Sequence, residues 1–144
     1  ELMGQGGRGK VQTSSYLEQL NKLLAASAPD HVTIFCVAEP GELQAVQASA
    51  LGVIVSEFVA NSIKHAFAGD RAGEIRISLR RQEGGESWLL ECRDNGRGHD
   101  GAVSGADSTG LGRMLMATAA EQLNGRLSTD FSANGALLRV CFRQ

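Results

Sequence analysis

The sequence predicts an α/β fold, a two-layer α/β sandwich in which helices cover one face of a mixed, mostly antiparallel sheet. Three observations lead to this prediction. The 144 residues suffice for one domain, an apolar helical pattern runs from about Leu43 to Phe67, and pairs of strands with tight turns follow it. Strands joined by tight turns are antiparallel neighbours, and the helices must cover one face of their sheet.

The composition is that of an ordinary soluble domain. Hydrophobic residues make up 42% of the chain and charged residues 21%, with a net charge of −2. This charge gives no reason to expect binding to nucleic acid or to an anionic membrane. No apolar stretch approaches the ~20 residues that span a bilayer, and the N-terminus lacks a signal-peptide pattern. We therefore expect a cytoplasmic domain, whose full-length protein can still be attached to a membrane through a segment outside this chain.

The first part of the chain predicts a tail, a helix and a buried strand. Residues 1–12 are rich in glycine and are expected to form a flexible linker or tail, so that the domain spans 13–144. Thr13 or Ser14 is the expected N-cap of a helix that carries four leucines at helical spacing. Residues 31–38 are apolar at both alternating sets of positions, which predicts a strand buried on both faces.

The second part predicts two hairpins separated by a loop and a helix. Residues 74–80 alternate between apolar and polar, and Gly84-Gly85 turns the chain into a returning strand at 87–93. The remaining elements are a polar glycine-rich loop over 94–109, a helix from about Leu111 to Leu123, and strands near 126–130 and 136–142 that meet at Asn134-Gly135.

The sequence predicts no metal-binding or catalytic role for the three cysteines. Cys36, Cys92 and Cys141 are widely spaced, and each lies inside an apolar run. A zinc site would need close pairs such as C-x-x-C, which the sequence lacks. We expect three small buried residues in a reducing compartment.

The long helix carries the first polar segment of interest, Glu57-Phe58-Val59-Ala60-Asn61-Ser62-Ile63-Lys64-His65-Ala66. Glu57, Asn61 and Lys64 lie at i, i+4 and i+7, on a stripe separate from the apolar face. An Asn carbonyl oxygen is a suitable ligand for Mg²⁺, and a lysine one turn away brings a charge to nearby phosphates. Glu57 could order or deprotonate a water or hydroxyl. A solvated helix face with the same three residues is the structural alternative.

The second segment, Asp94-Asn95-Gly96-Arg97-Gly98, follows a predicted strand. D-N-G is a common turn, which is its structural interpretation. In the functional interpretation, the carboxylate of Asp94 accepts the exocyclic amino hydrogens of adenine, and the glycines let the backbone approach the base. A carboxylate selects adenine over guanine because guanine presents a carbonyl at the same edge, and two acceptors repel each other.

The third segment, Thr109-Gly110-Leu111-Gly112, opens the next helix. A glycine-bearing loop that leads into a helix N-terminus presents unpaired N–H groups and the positive end of the helix dipole, which suits a triphosphate. A lone G-x-G is more often only a flexible start to a helix. The order of the three segments therefore matters more than any one of them.

In that order, the three segments resemble the Bergerat ATP-binding fold, the superfamily of gyrase, Hsp-type chaperones, histidine kinases and MutL. Within it the chain is similar to the catalytic domains of sensor histidine kinases with a second-type or HWE-like dimerisation region. Their E-L-x-x-N-A-x-K-H-A-F run is matched by Glu57–Phe67. Val11–Leu24 resembles the segment that joins their dimerisation helices to the catalytic domain, so the resemblance covers nearly the whole chain.

The resemblance implies roles for the residues of the long helix. Asn61 would be the Mg²⁺ ligand, with Lys64 and His65 beside the phosphates of ATP. Glu57 matches the general base of the ATP-hydrolysing relatives. Glu57, Asn61 and Lys64 would therefore be the catalytic residues.

The resemblance also implies roles for the two glycine-bearing segments. Asp94 would bind the adenine amino group, and Gly96 and Gly98 would line the base. Residues 99–108 would form the ATP lid. The phosphate chain would be held by Thr109, Gly110, Leu111 and Gly112.

Two features bear on this resemblance. No phenylalanine motif lies between Gly98 and Thr109, which is typical of the HWE-like branch. Ala136 follows Gly135 where the family usually has threonine, whose hydroxyl helps a water to bind adenine. The second feature bears on the affinity for the nucleotide and leaves the site itself in place.

The implied activity is that of a protein histidine kinase that uses ATP and Mg²⁺. The acceptor histidine is expected on a dimerisation domain outside this chain, because His31 starts a strand, His65 lies in the ATP site and His99 begins the lid. The full-length protein would be a homodimer in a two-component system and would serve a response regulator. Three alternatives remain: an anti-sigma-factor-type serine kinase, whose N-terminus usually begins with a strand; a stand-alone ATPase with Glu57 as base; and a degenerate, non-enzymatic scaffold.

Overall fold

The structure of the protein is a computed structural model that describes residues 9–67, 71–96, 110–132 and 134–143. In chain order these residues form strand β1 (Lys10–Gln12), helix α1 (Thr13–Ser27), strands β2 (Val32–Ala38) and β3 (Glu42–Gln44), helix α2 (Ala45–Asn61) with a π-helical turn (Ser62–Ala66), strands β4 (Gly73–Arg81) and β5 (Ser87–Asp94), helix α3 (Leu111–Gln122), and strands β6 (Arg126–Ser132) and β7 (Gly135–Arg143).

Five of the strands form one sheet in the order β2-β4-β5-β7-β6. β2 and β4 are parallel, and the other neighbouring pairs are antiparallel. The parallel pair follows from the path of the chain, because α2 connects β2 to β4 as a crossover, whereas short turns join β4 to β5 and β6 to β7. The prediction of an α/β fold with a mixed, mostly antiparallel sheet is confirmed.

The helices pack on one face of this sheet and bury its apolar side chains. Leu51, Ile54 and Val55 of α2 are fully buried in a single hydrophobic core. Alternate residues of a strand point to opposite faces, so every second residue of the central strands enters this core. These residues are Ile75, Ile77, Leu79, Leu90, Cys92, Leu138 and Val140. The core fixes α2 over the sheet and leaves its polar stripe at the rim.

The edge strand β2 differs from its prediction. The sequence predicts burial on both faces, but Phe35 is 39% exposed and Val37 is 64% exposed. The reason is that the helices cover only one face of the sheet, so the outward residues of β2 meet solvent whatever their type. The guanidinium of Arg76 on β4 covers part of Phe35, at 4.6 Å from the centroid of its ring.

The segment before α1 contains a strand where the sequence predicts only a loop. β1 pairs with β3, with Lys10 opposite Gln44. Three residues carry too little periodicity to distinguish a strand from a turn. The predicted helix cap is also wrong, because Gln12 holds the N-cap position of α1. The buried hydroxyl of Thr13 instead donates to the carbonyl of Glu39 at 2.6 Å, which ties α1 to the turn after β2.

Helix α2 and its π-helical turn form a long apolar stretch. By length and composition alone, Ala45–Ala66 could cross a membrane, with a mean hydropathy of 1.4 over an 18-residue window. The sequence does not suggest a stretch of this length, because Glu57 and Lys64 interrupt the apolar run. In the fold this is the core helix, which contacts α3 and shares one hydrophobic core with it and the sheet. Its burial explains its composition.

Candidate functional site

A cavity of about 520 Å³ lies between α2, the first turns of α3, and strands β6 and β7. Glu57, Asn61, Lys64 and His65 all line it from the α2 side. The polar stripe predicted on the long helix therefore faces a cavity that is partly open to solvent, with Lys64 exposed. A stripe that lines a cavity favours the functional interpretation over a solvated helix face.

The helix changes its winding at the cavity. α2 ends at Asn61 and continues as a π-helical turn over Ser62–Ala66. A π-helical turn has an i→i+5 hydrogen-bond pattern and occurs frequently at functional sites. The sequence predicts uninterrupted α-helical spacing to Phe67, which is wrong after Asn61. Lys64 and His65 line the cavity in spite of this change in register.

Asp94 lies under the cavity at the end of β5 and is only 4% exposed. Its Oδ1 accepts hydrogen bonds from the backbone N–H groups of Gly96 and Ala136, each at 3.1 Å. Its Oδ2 accepts one from the hydroxyl of Ser62 at 2.7 Å. Ser62 and Ala136 both line the cavity, so the carboxylate is held directly behind the lining, of which Asp94 is not itself a part. Three donors satisfy a buried charge that would otherwise be costly.

Two glycines allow the close packing of the chain around Asp94. A Cβ at Gly135 would overlap the carbonyl oxygen of Asp94, and Gly135 has a φ of +139°. A Cβ at Gly96 would lie 2.5 Å from the Cβ of Ala66, closer than real Cβ atoms approach. The start of β7 can therefore approach Asp94 because Gly135 lacks a side chain, and the turn after β5 can approach the π-helical turn because Gly96 lacks one.

The neighbouring Asn95 supports the turn interpretation of the same segment. Its Oδ1 accepts the backbone N–H of Glu74 at 2.8 Å, and its own N–H donates to the carbonyl of Glu74 at 3.2 Å. Asn95 thus extends the pairing of β4 with β5. The D-N-G sequence is both a turn and the source of the buried carboxylate.

The start of α3 forms the opposite wall of the cavity. Gly110 is the N-cap residue and has a φ of +85°, in the left-handed region that glycine favours. A Cβ at Gly112 would lie 2.8 Å from Oε1 of Glu57. The carboxylate of Glu57 therefore rests against the first turn of α3, while the side chain of Leu111 is 60% exposed.

One part of the cavity wall has no counterpart among the predicted site residues. Met116 of α3 and Leu127, Phe131 and Leu138 of the last two strands give it an apolar side. The sequence analysis gives none of these residues a role in the site. The predicted hairpin of the last two strands could have suggested this wall, because β7 begins beside the turn that carries Asp94.

Several predicted site residues lie outside the described residues. These are Gly98, Thr109 and the predicted lid over residues 99–108. The structure brings together Glu57, Asn61, Lys64, His65 and Gly112 as cavity-lining residues, with Asp94 held beneath them through Ser62. Ser62 is the functional candidate that the sequence analysis missed, because its position falls on the apolar face of the helix.

The thiols do not contribute to this site. Burial raises the pKa of Cys36 to about 12, and it also raises the pKa of Cys92. Both thiols are therefore protonated and unreactive at neutral pH. Cys141 is exposed on β7, against the prediction that it is buried, because it points away from the helical layer.

A family model supplies the decisive comparison. The model described as "Histidine kinase-, DNA gyrase B-, and HSP90-like ATPase" matches residues 46–143. The chain belongs to this family. The match runs from α2 to β7 and so includes all three polar segments of the ATPase domain. No curated protein matches the chain by sequence.

Solved histidine kinases share the fold of this ATPase domain. The histidine kinase domain of the Erythrobacter litoralis EL346 blue-light activated histidine kinase has a TM-score of 0.83 and 16% identity, covering 96% of this chain and 65% of that one. The mycobacterial sensor histidine kinase MprB has a TM-score of 0.72 and 14% identity, covering 93% and 97%. The catalytic domain of histidine kinase ThkA has a TM-score of 0.72 and 11% identity, covering 93% of both chains.

These likenesses establish the fold of the ATPase domain, and the identities are too low to establish more. The chain spans 65% of the first of these structures and 42% of a longer structure of the same light-activated kinase. The resemblance to histidine kinase ATP-binding domains of the Bergerat fold is confirmed.

Proposed function

We propose that this chain is the Mg-ATP-binding catalytic domain of a bacterial sensor histidine kinase, which transfers the γ-phosphate to a histidine outside the chain. One observation carries the proposal. Asn61 lines the cavity, and Asp94, from a distant part of the chain, lies next to the lining and is hydrogen-bonded to Ser62 and Ala136, which belong to it. A cavity of nucleotide size with amide and charged groups in its lining and a buried carboxylate beside it is expected of a binding site.

Adenine would bind at the Asp94 end of the cavity. The carboxylate would accept the amino hydrogens of the base, and Gly96, together with Gly98, would let the backbone approach the ring. The apolar wall that contains Met116 and Phe131 would cover the face of the base. The hydrogen bonds from Ser62 and two backbone N–H groups hold the carboxylate in place before the nucleotide arrives, which lowers the cost of binding.

The phosphates would bind at the other end, between α2 and α3. Asn61 fits a single protein ligand for Mg²⁺, because this ion takes most of its six positions from water and phosphate oxygens. Lys64 and His65 would lie beside the phosphate oxygens. The backbone N–H groups of the segment Thr109, Gly110, Leu111 and Gly112 would hold the phosphate chain at the N-terminus of α3.

Phosphoryl transfer requires little covalent chemistry from the protein. When bound, Mg²⁺ would neutralise charge on the phosphate oxygens. Lys64 would hold the γ-phosphate in position for in-line attack by an imidazole of the dimerisation domain. Glu57 would order a water or the attacking group, since its carboxylate lines the cavity next to Gly112.

The partners follow from this activity. The chain would act on its own dimerisation domain, within a homodimer of the full-length protein, and the phosphate would pass to a response regulator. No nucleic acid is expected as a partner, given the net charge of −2. The domain itself would work in the cytoplasm, where ATP is available.

A stand-alone ATPase is the second candidate, favoured by the position of Glu57 inside the cavity. It would hydrolyse ATP with no added helical partner. An anti-sigma-factor-type serine kinase usually begins with a strand, and β1 does precede α1 in this structure, but β1 lies outside the main sheet.

Calorimetry and labelled ATP test the proposal. We expect Mg²⁺-dependent binding of ATP with a dissociation constant on the order of micromolar. We also expect no phosphohistidine on this chain and no turnover of ATP by it alone. Phosphohistidine on the chain itself would show that the acceptor has been misplaced, and steady hydrolysis that Glu57→Gln abolishes would support the ATPase instead.

A further inference from the structure

The face of the sheet opposite to the helices is rich in arginine. Every second residue of each strand points to this open face, and the register of the strands identifies these residues. They include six arginines and three acidic residues, an excess of positive charge in a chain whose net charge is −2. The arginines are Arg76, Arg80, Arg93, Arg126, Arg139 and Arg143, and the acidic residues are Glu74, Glu91 and Asp130.

The unbalanced charge lies mainly over the central strands. At the edge of the open face, Arg143 pairs with Glu86 of the turn before β5. The arginines of β4, β5 and β7 have fewer acidic neighbours. A ligand of opposite charge would therefore meet the centre of the sheet and not its rim.

Three of the central arginines share one carboxylate. Arg139 lies directly opposite Glu91 and donates from Nε to its Oε2 at 2.8 Å. Terminal guanidinium nitrogens of Arg80 and Arg93 lie 3.7 and 3.9 Å from the other carboxylate oxygen, Oε1. The side chain of Glu91 is only 12% exposed, whereas each arginine side chain is about half exposed. The cluster therefore keeps two excess positive charges, and most of its guanidinium N–H groups remain available to a ligand.

The open face also contains two like charges side by side. Arg76 of β4 and Arg93 of β5 are directly opposite each other in the antiparallel register. Like charges at such positions destabilise a sheet. The ion pair of Arg76 with Glu74, at 3.2 Å, is screened by solvent because both side chains are roughly half exposed. A choice of residues that weakens the isolated domain is expected where a surface serves a partner.

Apolar side chains lie among these arginines and indicate a protein as the partner. Phe35 and Val37 of β2 are exposed on the open face, and Leu89 of β5 is half-buried there. Arginine combined with accessible aromatic and aliphatic groups is typical of protein interfaces. A second copy of the same face would be repelled, because two surfaces of the same charge would meet. The complementary partner is therefore an acidic protein surface.

We propose that the open face of the sheet is a docking surface for an acidic amphipathic helix of a partner protein. A helix packed on this face would give the sheet a second helical layer, a common arrangement in α/β folds. Glutamates one turn apart on a helix are separated by about 5–6 Å, close to the spacing of about 5 Å between neighbouring strands. One helix can thus place a carboxylate over each of β4, β5 and β7, and its apolar side chains would contact Phe35 and Leu89.

Nucleic acid and anionic membranes are the competing partners for a basic surface. Both present dense negative charge without carboxylate-sized gaps. The acidic side chains of Glu74, Glu91 and Asp130 lie among the arginines and would oppose such a ligand. The net charge of −2 opposes it as well.

NMR titration of the isotope-labelled chain tests the proposal with two synthetic helical peptides. One carries glutamates one turn apart beside a stripe of leucines, and in the other glutamine replaces every glutamate. We expect the glutamate peptide to bind with a dissociation constant on the order of 100 μM and the glutamine peptide to bind at least tenfold more weakly. The shifted signals should be backbone amides of β4, β5 and β7 and the Nε–H groups of their arginines.

Charge reversal separates docking from a structural role of the arginines. Arg76→Glu replaces the like-charge pair with an ion pair to Arg93, so its unfolding midpoint should not fall, yet it should bind the glutamate peptide at least tenfold more weakly. Lys22→Glu, on the exposed side of α1, makes the same change in net charge and should stay within about twofold of wild type.

Several results would overturn the proposal. They are equal binding of the two peptides, no binding of the glutamate peptide up to millimolar concentration, and unchanged affinity in Arg76→Glu. Tighter binding of a DNA duplex or of vesicles with anionic phospholipid at this face would also overturn it, in favour of a polyanion. ATP binding is measured separately, and Arg76→Glu should bind ATP as wild type does, because Arg76 does not line the cavity.

Discussion

The two ends of the cavity are built in different ways. At one end, Asp94 is buried and its carboxylate is held by three donors of the protein itself. At the other end, Asn61 and Gly112 are half-buried and Lys64 is exposed. The first end is ready before a ligand arrives, and the second is expected to be completed by phosphates and a metal ion. Recognition of the base would therefore depend on rigid packing, and recognition of the phosphates on charge.

The glycines show the same contrast. Gly96 and Gly135 are needed for space, because a side chain at either position would collide with backbone or with the core. Gly110 has open space around its Cβ position and is constrained only by its φ of +85°. Gly112 would meet only the end of the flexible side chain of Glu57. Substitutions at the two ends should therefore have different effects.

The largest expected effect on binding comes from Asp94→Ala. Removal of the carboxylate eliminates the acceptor for the base and leaves three buried donors unpaired, so the affinity for ATP should fall by about 100-fold or more. Calorimetry measures the loss, with thermal unfolding to show that the variant is folded. Asp130→Ala, on the exposed strand β6, is the control and should bind normally. Wild-type affinity in Asp94→Ala would remove the adenine assignment.

The largest expected effect on stability comes from Gly135→Ala. The new Cβ would overlap the carbonyl oxygen of Asp94 at a φ that L residues rarely adopt, and the free energy of unfolding should fall by about 2–4 kcal/mol. Denaturant titration gives the value. Gly84→Ala is the matched control, because it has a positive φ with open space in the hairpin turn, and it should cost about 1 kcal/mol. Equal losses at the two positions would contradict tight packing around Asp94.

A smaller and more selective effect is expected at the phosphate end. Asn61→Ala should weaken binding of ATP about tenfold with Mg²⁺ present and leave binding of ATP without Mg²⁺ nearly unchanged, because only the metal ligand is lost. Titrations with and without a chelator give the two values. Gln122→Ala, at the exposed end of α3, is the control. The same loss with and without Mg²⁺ would show that Asn61 does not act through a metal ion.

The sequence predicts the layered fold well, because helical spacing and hairpin turns are local properties. It does not predict β1 and β3, which are three residues each and depend on pairing between distant parts of the chain. It also assigns two buried faces to β2, since apolar composition does not reveal which face of a sheet the helices leave open.

The sequence also did not predict the hydrogen bond between Ser62 and Asp94. Ser62 lies one position after Asn61, and helical spacing places it on the apolar face. Its hydroxyl donates to Asp94, which is 32 residues away in the chain. A buried hydroxyl must find a partner, so a serine among apolar helix positions is a usable signal that a polar group lies opposite it. The partner itself comes only from the three-dimensional structure.

The smallest expected effect, at Gly112, gives the sharpest test of the contrast between the two ends. Alanine favours a helical position over glycine by about 0.5–1 kcal/mol, and the contact with Glu57 Oε1 at 2.8 Å can be relieved by rotation of that side chain. Gly112→Ala should therefore keep the free energy of unfolding within about 0.5 kcal/mol of wild type and lower the affinity for ATP by less than about threefold. Denaturant titration and calorimetry give both values, with Gly96→Ala as the comparison at the other end. If Gly112→Ala lowered the free energy of unfolding as much as Gly96→Ala does, the side chain of Glu57 would be fixed in its position. Both ends of the cavity would then be equally rigid.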